Sequence, residues 1–232
     1  MRWLKRLGRK SAASWKVLAL GLLGSCAGLW AADEPNANGT PKSPGRIVIL
    51  GDSITAGYGL DDPEAAYPAV LQKKVEAAKL PYTIVNAGVS GDTTSGGLRR
   101  IKWVLGSGAD VLVIALGGND GLRGIQPKQT EENLTAIITQ AREKVPGITI
   151  VLAGMQMPGN MGPDYTTSFR EIFPKVAKDK EAKLIPFLIE GVGGDPKLNQ
   201  ADQIHPTSEG QKIVAENVWK VLEPVLKERK KK

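Results

Sequence analysis

Four stretches of the chain are dominated by β-branched and aliphatic residues: Ile47-Val48-Ile49-Leu50, Tyr82-Thr83-Ile84-Val85, Val111 to Leu116 and Ile148 to Leu152. Apolar runs this short that barely alternate with polar residues read as strands buried on both faces. Lys183-Leu184-Ile185-Pro186-Phe187 is a weaker fifth. Between the runs the period changes. Tyr67, Val70, Leu71 and Val75 fall three and four apart, as one helix face requires, and so do Leu98, Ile101 and Leu105. Leu134, Ile137 and Ile138 follow Thr130, which offers a cap, with Asn133 between; Phe169, Ile172, Phe173 and Val176 mark a fourth helix, and Ile213, Val214, Val218 and Leu222 a last one. Strands that alternate with helices predict right-handed crossovers and a parallel sheet covered on both faces. The pattern fits one α/β domain over residues 46–226.

The ends of the chain read differently. Residues 1–32 hold six basic groups and no acid, and a basic stretch ending at Lys16 precedes an apolar one from Val17 to Ala27. With small residues at Ala27 and Ala31, that order is the one of a secretory signal. The apolar stretch is shorter than the roughly 20 residues a membrane-spanning helix needs. Leu23-Gly24-Ser25-Cys26 resembles a bacterial lipobox, which would lipidate Cys26. Residues 33–45 (DEPNANGTPKSPG) form a linker, and 227–232 a solvated basic tail. The expected location is therefore outside the cytoplasm, periplasmic or secreted, with a lipid at Cys26 or the basic tail as means of holding a membrane surface.

This layout changes the meaning of the charge. The chain carries +7 in all. Removing the six charges of the first segment and the net four of the tail leaves −3 for residues 33–226. The body is slightly acidic, which argues against nucleic acid as a partner. The 232 residues contain one cysteine and one histidine, so neither a disulfide framework nor a His/Cys zinc site is expected.

In a parallel sheet, ligands bind at the carboxyl ends of the strands. Small polar residues and glycines cluster there: Gly51-Asp52-Ser53 after the first run, Ser90-Gly91-Asp92-Thr93 after the second, Gly117-Gly118-Asn119-Asp120 after the third, and Asp202-Gln203-Ile204-His205-Pro206 before the last helix. A serine hydroxyl is a weak nucleophile until a base takes its proton, and His205 is the one histidine available. Asp202, three residues earlier, can reach the ring Nδ1 on a tight turn and stabilise the imidazolium. Acyl transfer also needs donors for an oxyanion, which the N–H groups of Ser53 and Gly91 and the amide of Asn119 can supply. Taken singly, Ser53 could be a helix cap, His205 a surface residue, Asp202 a turn cap and the Gly-Gly-Asn-Asp stretch a turn.

Gly51-Asp52-Ser53, Gly91, Gly118-Asn119-Asp120 and Asp202-x-x-His205 resemble, in order, the four blocks of the SGNH (GDSL-type) hydrolases. Ile49 to Ser53, Ser90 to Thr93 and Leu116 to Gly124 are closest to the bacterial thioesterase I / lysophospholipase L1 / arylesterase group. The resemblance implies a three-layer flavodoxin-like fold with a five-stranded parallel sheet in the order 2-1-3-4-5. It implies Ser53 as nucleophile with Asp202 and His205, an oxyanion hole of Ser53, Gly91 and Asn119, and no metal or cofactor. Asp52 is expected to order its turn.

The implied reaction is hydrolysis of a carboxylic ester or thioester, including lysophospholipids, through an acyl-serine, by a protein expected to be monomeric. In the resembling group the loop after Gly-Gly-Asn-Asp shapes the acyl pocket. Here it is Gly121 to Pro127, so Leu122 and Ile125 are expected to touch the acyl chain, together with Met157, while Met155 reads as core. A carbohydrate O-acetyl esterase on the same fold is the alternative, and a non-catalytic binding protein a remote one.

Overall fold

The computed structural model describes residues 44–230. The export segment, Cys26 and nearly all of the linker lie outside the described residues. Five strands form one sheet: β1 (Gly45–Gly51), β2 (Tyr82–Gly88), β3 (Val111–Ala115), β4 (Thr149–Ala153) and β5 (Lys183–Ile185). All pairings are parallel and the order is β2-β1-β3-β4-β5, as the resemblance implies. The register sets Ile47 beside Ile84 on one side and Val111 on the other.

Every residue of β3 is buried, as is β1 from Ile47 onward. Consecutive buried residues point to opposite faces of a strand, so both faces of the sheet centre are covered. Seven helices do the covering: α1 (Ser53–Ala56), α2 (Tyr67–Ala77), α3 (Thr94–Val104), α4 (Gly118–Leu122), α5 (Pro127–Lys144), α6 (Pro163–Asp179) and α7 (Ser208–Lys230). α3 packs on α5 and α5 on α6, while α2 packs on α7. Phe169, Phe173, Tyr67 and aliphatic side chains of β1 and β3 are among the largest fully buried groups, as are Leu71 of α2 and Ile101 of α3.

The structure departs from the sequence expectations in three places. α5 begins at Pro127, not after Thr130, because proline suits the first turn of a helix, where its missing N–H is not needed. Thr130 is then a buried residue inside the helix rather than a cap. The Gly118-Asn119-Asp120 stretch is the first turn of a short helix rather than a plain turn. The basic tail, expected to be solvated from Lys227, stays helical to Lys230. Arg229 accounts for this: its guanidinium donates to Asp110 at 3.1 Å and to the Thr149 hydroxyl at 2.9 Å, fixing the end of α7 to the sheet.

The strand order reverses between β1 and β3, since β1 leads outward to β2 and β3 leads the other way to β4. A crevice opens at such a point beyond the carboxyl ends of the two strands. Ser53 follows β1 and Asn119 follows β3, so the fold brings the first and third sequence blocks to this crevice.

Candidate active site

β1 ends at Gly51, and Asp52 caps α1 by accepting the Ile54 N–H at 3.0 Å. Ser53 is therefore not the cap but the first helical residue, at 8% exposure. Its segment is held from three sides. The Thr55 hydroxyl meets the Tyr67 hydroxyl at 2.8 Å, Gln211 of α7 donates to the Ile54 carbonyl at 3.1 Å, and Asn86 of β2 donates to the Thr55 carbonyl at 2.9 Å. Buried polar groups with partners on separate elements fix one geometry for the serine.

His205 lies 152 residues away in sequence, on the loop that enters α7. Its Nε2 stands 2.8 Å from Ser53 Oγ. Its Nδ1 stands 2.6 Å from Asp202 Oδ2. Asp202 Oδ1 accepts the backbone N–H groups of His205 at 3.0 Å and Ile204 at 2.9 Å. Those bonds, the His205 N–H first, hold the Asp202 carboxyl down at about 2. A carboxylate ionised at any working pH keeps the proton on Nδ1, which leaves Nε2 as the acceptor for the serine hydroxyl. The three residues thus form one hydrogen-bonded chain. Asp52 differs: burial pushes its carboxyl up to about 6, opposed by the Ile54 N–H and by His205.

Gly91 and Asn119 reach the same edge by a braced route. Gly91 has φ +78°, a conformation that favours glycine, at the turn between β2 and α3. The next residue, Asp92, takes the Arg100 Nε at 2.7 Å. Arg100 also donates to the carbonyls of Ala87 at 2.7 Å and Gly51 at 2.9 Å, and so ties the ends of β1 and β2 to the Gly91 turn. Asn119 Nδ2 donates one hydrogen to the Asp92 carbonyl at 3.0 Å, and the amide has a second to offer. Below it Asp120 is fully buried and accepts from the Thr94 N–H at 2.8 Å and the Thr94 hydroxyl at 2.5 Å. Asn133 donates to the same hydroxyl at 3.0 Å. Arg123 reaches back to the Gly91 carbonyl at 2.9 Å.

The three residues expected to bind substrate separate by position. Leu122 is 48% exposed at the end of α4, and Ile125 is half-buried in the following loop, where its carbonyl accepts the Tyr165 hydroxyl at 2.8 Å. Met157 is half-buried against the core, its sulfur lying where a side chain on Gly121 would have to go. Met155 is core, as expected. Among the described residues no group of three His, Cys, Asp or Glu is placed to hold a metal ion.

The motif reading passed over Arg100, Tyr58 and Gln200. Arg100 looks like one more charge on a surface helix; its one signal is that Asp92 is the acid of the preceding turn. Tyr58 stands between Gly57 and Gly59, and an aromatic residue flanked by glycines on a tight turn has no core to enter.

Residues 49–213 match the GDSL-like Lipase/Acylhydrolase family. The chain is 42% identical over 181 residues to esterase TesA of Pseudomonas aeruginosa, covering 78% of this chain and 89% of that protein. It is 39% identical over 189 residues to thioesterase 1/protease 1/lysophospholipase L1 of Escherichia coli, covering 78% and 84%. Among solved structures, the crystal structure of TesA superposes with a TM-score of 0.74 at 42% identity, covering 77% of this chain and 98% of that one.

Proposed function

From the membership of this chain in the GDSL-like Lipase/Acylhydrolase family, we propose that it is a serine esterase and thioesterase in which Ser53, His205 and Asp202 carry the reaction. The observation behind the residue assignment is the hydrogen-bonded chain from Ser53 Oγ through His205 to Asp202 at the carboxyl edge of the sheet. The names of its relatives, an esterase and a thioesterase/lysophospholipase, support the substrate class.

In the first half-reaction Ser53 Oγ attacks the carbonyl carbon while its proton passes to His205 Nε2. Asp202 keeps the ring oriented and offsets the imidazolium charge. The carbonyl oxygen becomes an oxyanion, met by the N–H groups of Ser53 and Gly91 and the free amide hydrogen of Asn119; losing one such donor costs about 10²–10³ in kcat. Ser53 is well placed for this, because a first-turn N–H has no acceptor within its own helix. His205 returns the proton to the leaving alcohol or thiol. In the second half it takes a proton from water, whose oxygen attacks the acyl-serine carbonyl, and it returns that proton to Ser53 Oγ as the acyl–oxygen bond breaks and the acid leaves. Activity falls in acid, because a protonated His205 cannot accept the serine proton.

The substrate side is apolar. Of the five exposed large apolar residues among those described, Tyr58, Val89, Leu122 and Ile204 sit on the segments that carry the site, and Trp103 is the exception. Such a rim suits an acyl chain longer than acetyl. The apolar stretch Val17–Ala27 after basic residues supports an exported protein.

The test is a series of p-nitrophenyl esters from acetate to palmitate, with Ser53→Ala beside the wild type. Hydrolysis that peaks at medium or long chains and is lost in the variant is expected. Activity confined to acetate would turn the assignment to an O-acetyl esterase. Hydrolysis independent of Ser53 would overturn it.

A further inference from the structure

The base is the least supported part of the site. Residues 201–204 are exposed, and Asp202 itself is exposed across more than a third of its side chain. Yet His205 must hold Nε2 within hydrogen-bond reach of a serine that belongs to another element. Two contacts outside the Ser-His-Asp chain bear on how it does so.

The Tyr58 ring packs against the His205 imidazole, with centroids 4.6 Å apart and planes tilted by 42°. Tyr58 is 54% exposed, so this ring is not there to fill the core. Gln200 forms the second contact. Its side-chain amide donates to the Tyr58 carbonyl at 2.7 Å and to the Pro206 carbonyl at 3.1 Å, while its backbone N–H donates to the His205 carbonyl at 2.7 Å. One residue thus joins the turn after α1 to two successive carbonyls, those of His205 and Pro206. The crossing requires Gly59: a side-chain carbon there would lie 2.1 Å from Gln200 Oε1, and φ at Gly59 is +73°. The far end of the loop is fixed by Asn199, which is buried and donates to the carbonyls of Val192 at 2.6 Å and Asp195 at 2.8 Å.

We propose that Tyr58 and Gln200 are positioning residues that clasp the His205 loop to the Ser53 helix, with the Tyr58 face also stabilising the imidazolium that forms when His205 takes the serine proton. The inference rests on the assignment of Ser53 and His205 above. The clasp connects the two halves of the proton transfer directly, because Tyr58 lies five residues after Ser53 and its N–H bonds the Ser53 carbonyl at 3.0 Å. A cation over an aromatic face is favoured by the ring quadrupole. This contact gains strength only when the imidazole is charged, so it favours the transition state over the resting enzyme.

The experiment compares Tyr58→Leu, Tyr58→Phe and Gln200→Ala in the full chain on a p-nitrophenyl ester, with Ser53→Ala as the control. Displacing a reacting group by about 1 Å costs on the order of 10²-fold. Tyr58→Leu and Gln200→Ala are therefore expected to lower kcat by roughly 10- to 100-fold with little change in KM. Tyr58→Phe, which keeps the ring and removes a hydroxyl that bonds none of the described residues, should restore most of the rate. A proton NMR spectrum supplies the readout that a general loss of stability does not give. The low-field Nδ1–H signal of His205 should broaden or vanish in Gln200→Ala while the melting temperature stays near that of the wild type. If Tyr58→Leu fails to fold, Gly59→Ala takes its place, since it displaces the Gln200 amide and leaves the ring. A loss carried by KM alone would make Tyr58 a substrate contact and overturn the proposal, as would wild-type kcat in both variants. If wild-type hydrolysis survives Ser53→Ala, the assignment of the site fails and the clasp fails with it.

Discussion

Two aspartates flank the Ser53–His205 pair, and their surroundings drive them in opposite directions. Asp52, next to the serine, is buried at 2% exposure; Asp202, three residues from the histidine, keeps more than a third of its side chain exposed. Burial lifts the first to about 6, while hydrogen bonds from His205 and Ile204 pull the second to about 2. Solvent alone would leave both near 3.8, so the difference is entirely the work of the fold. Ser53 sits on a helix capped by a carboxylate that is buried at some electrostatic cost, and His205 is hydrogen-bonded to a carboxylate whose partners favour its ionised form.

The largest effect that would break this contrast is Asp202→Asn. An amide can turn its NH₂ toward Nδ1, which selects the wrong tautomer and leaves Nε2 protonated. By analogy with the same change in serine proteases, kcat should fall by about 10³–10⁴-fold. Single-turnover acylation measures it, and a loss below tenfold would show that Asp202 does not orient the ring. A smaller effect, on stability, is expected at Asp52. Its folded value is raised above the unfolded one, so the folded state holds a proton that the unfolded chain releases, and stability declines as pH rises from about 4 to about 6. Asp52→Asn removes this dependence while its Oδ1 still caps Ile54. Relative to wild type, the variant should gain on the order of 3 kcal/mol between pH 4 and pH 7.5, followed by urea unfolding. Asp202 has the reverse sign, its contribution being present above pH 4 and lost toward pH 2. Parallel unfolding curves for wild type and Asp52→Asn at both pH values would remove the burial argument. The smallest effect is at Gln203, which holds φ +61° between Asp202 and His205. Glycine there relieves about 1 kcal/mol of left-handed strain and gives back about 0.5–1 in unfolded-chain entropy. Gln203→Gly should therefore move the melting temperature by no more than a few degrees, as calorimetry can check.

The same contrast separates what the sequence makes legible from what it hides. The strands could be read because Ile47–Leu50 and Val111–Leu116 are buried on both faces and so need apolar residues throughout. The proximity of Ser53, Asp202 and His205 could be expected because all three lie at strand ends or before the last helix, where small polar residues and glycines cluster. Thr130 suits a cap equally well by its local pattern; only the tertiary partner, Asp120, tells that it faces inward. Arg229 was assigned to a solvated tail for the same reason, since the carboxylate it binds, Asp110, is 119 residues away. Gln200 and Tyr58 leave no periodic or compositional trace, because a contact between two loops imposes no spacing on either.

The 152-residue separation between Ser53 and His205 also sets the order of events when the chain is made. A growing chain acquires β1 and Ser53 first, then the turns that hold Gly91 and Asn119, and only afterwards the loop that carries His205. Gln211 and His205 arrive together, so the contact that seats α7 on Ser53's helix comes with the one that arms the hydroxyl. On the function proposed above, hydrolysis is expected to appear during refolding only once α7 has docked and the loop before it has brought His205 to Ser53.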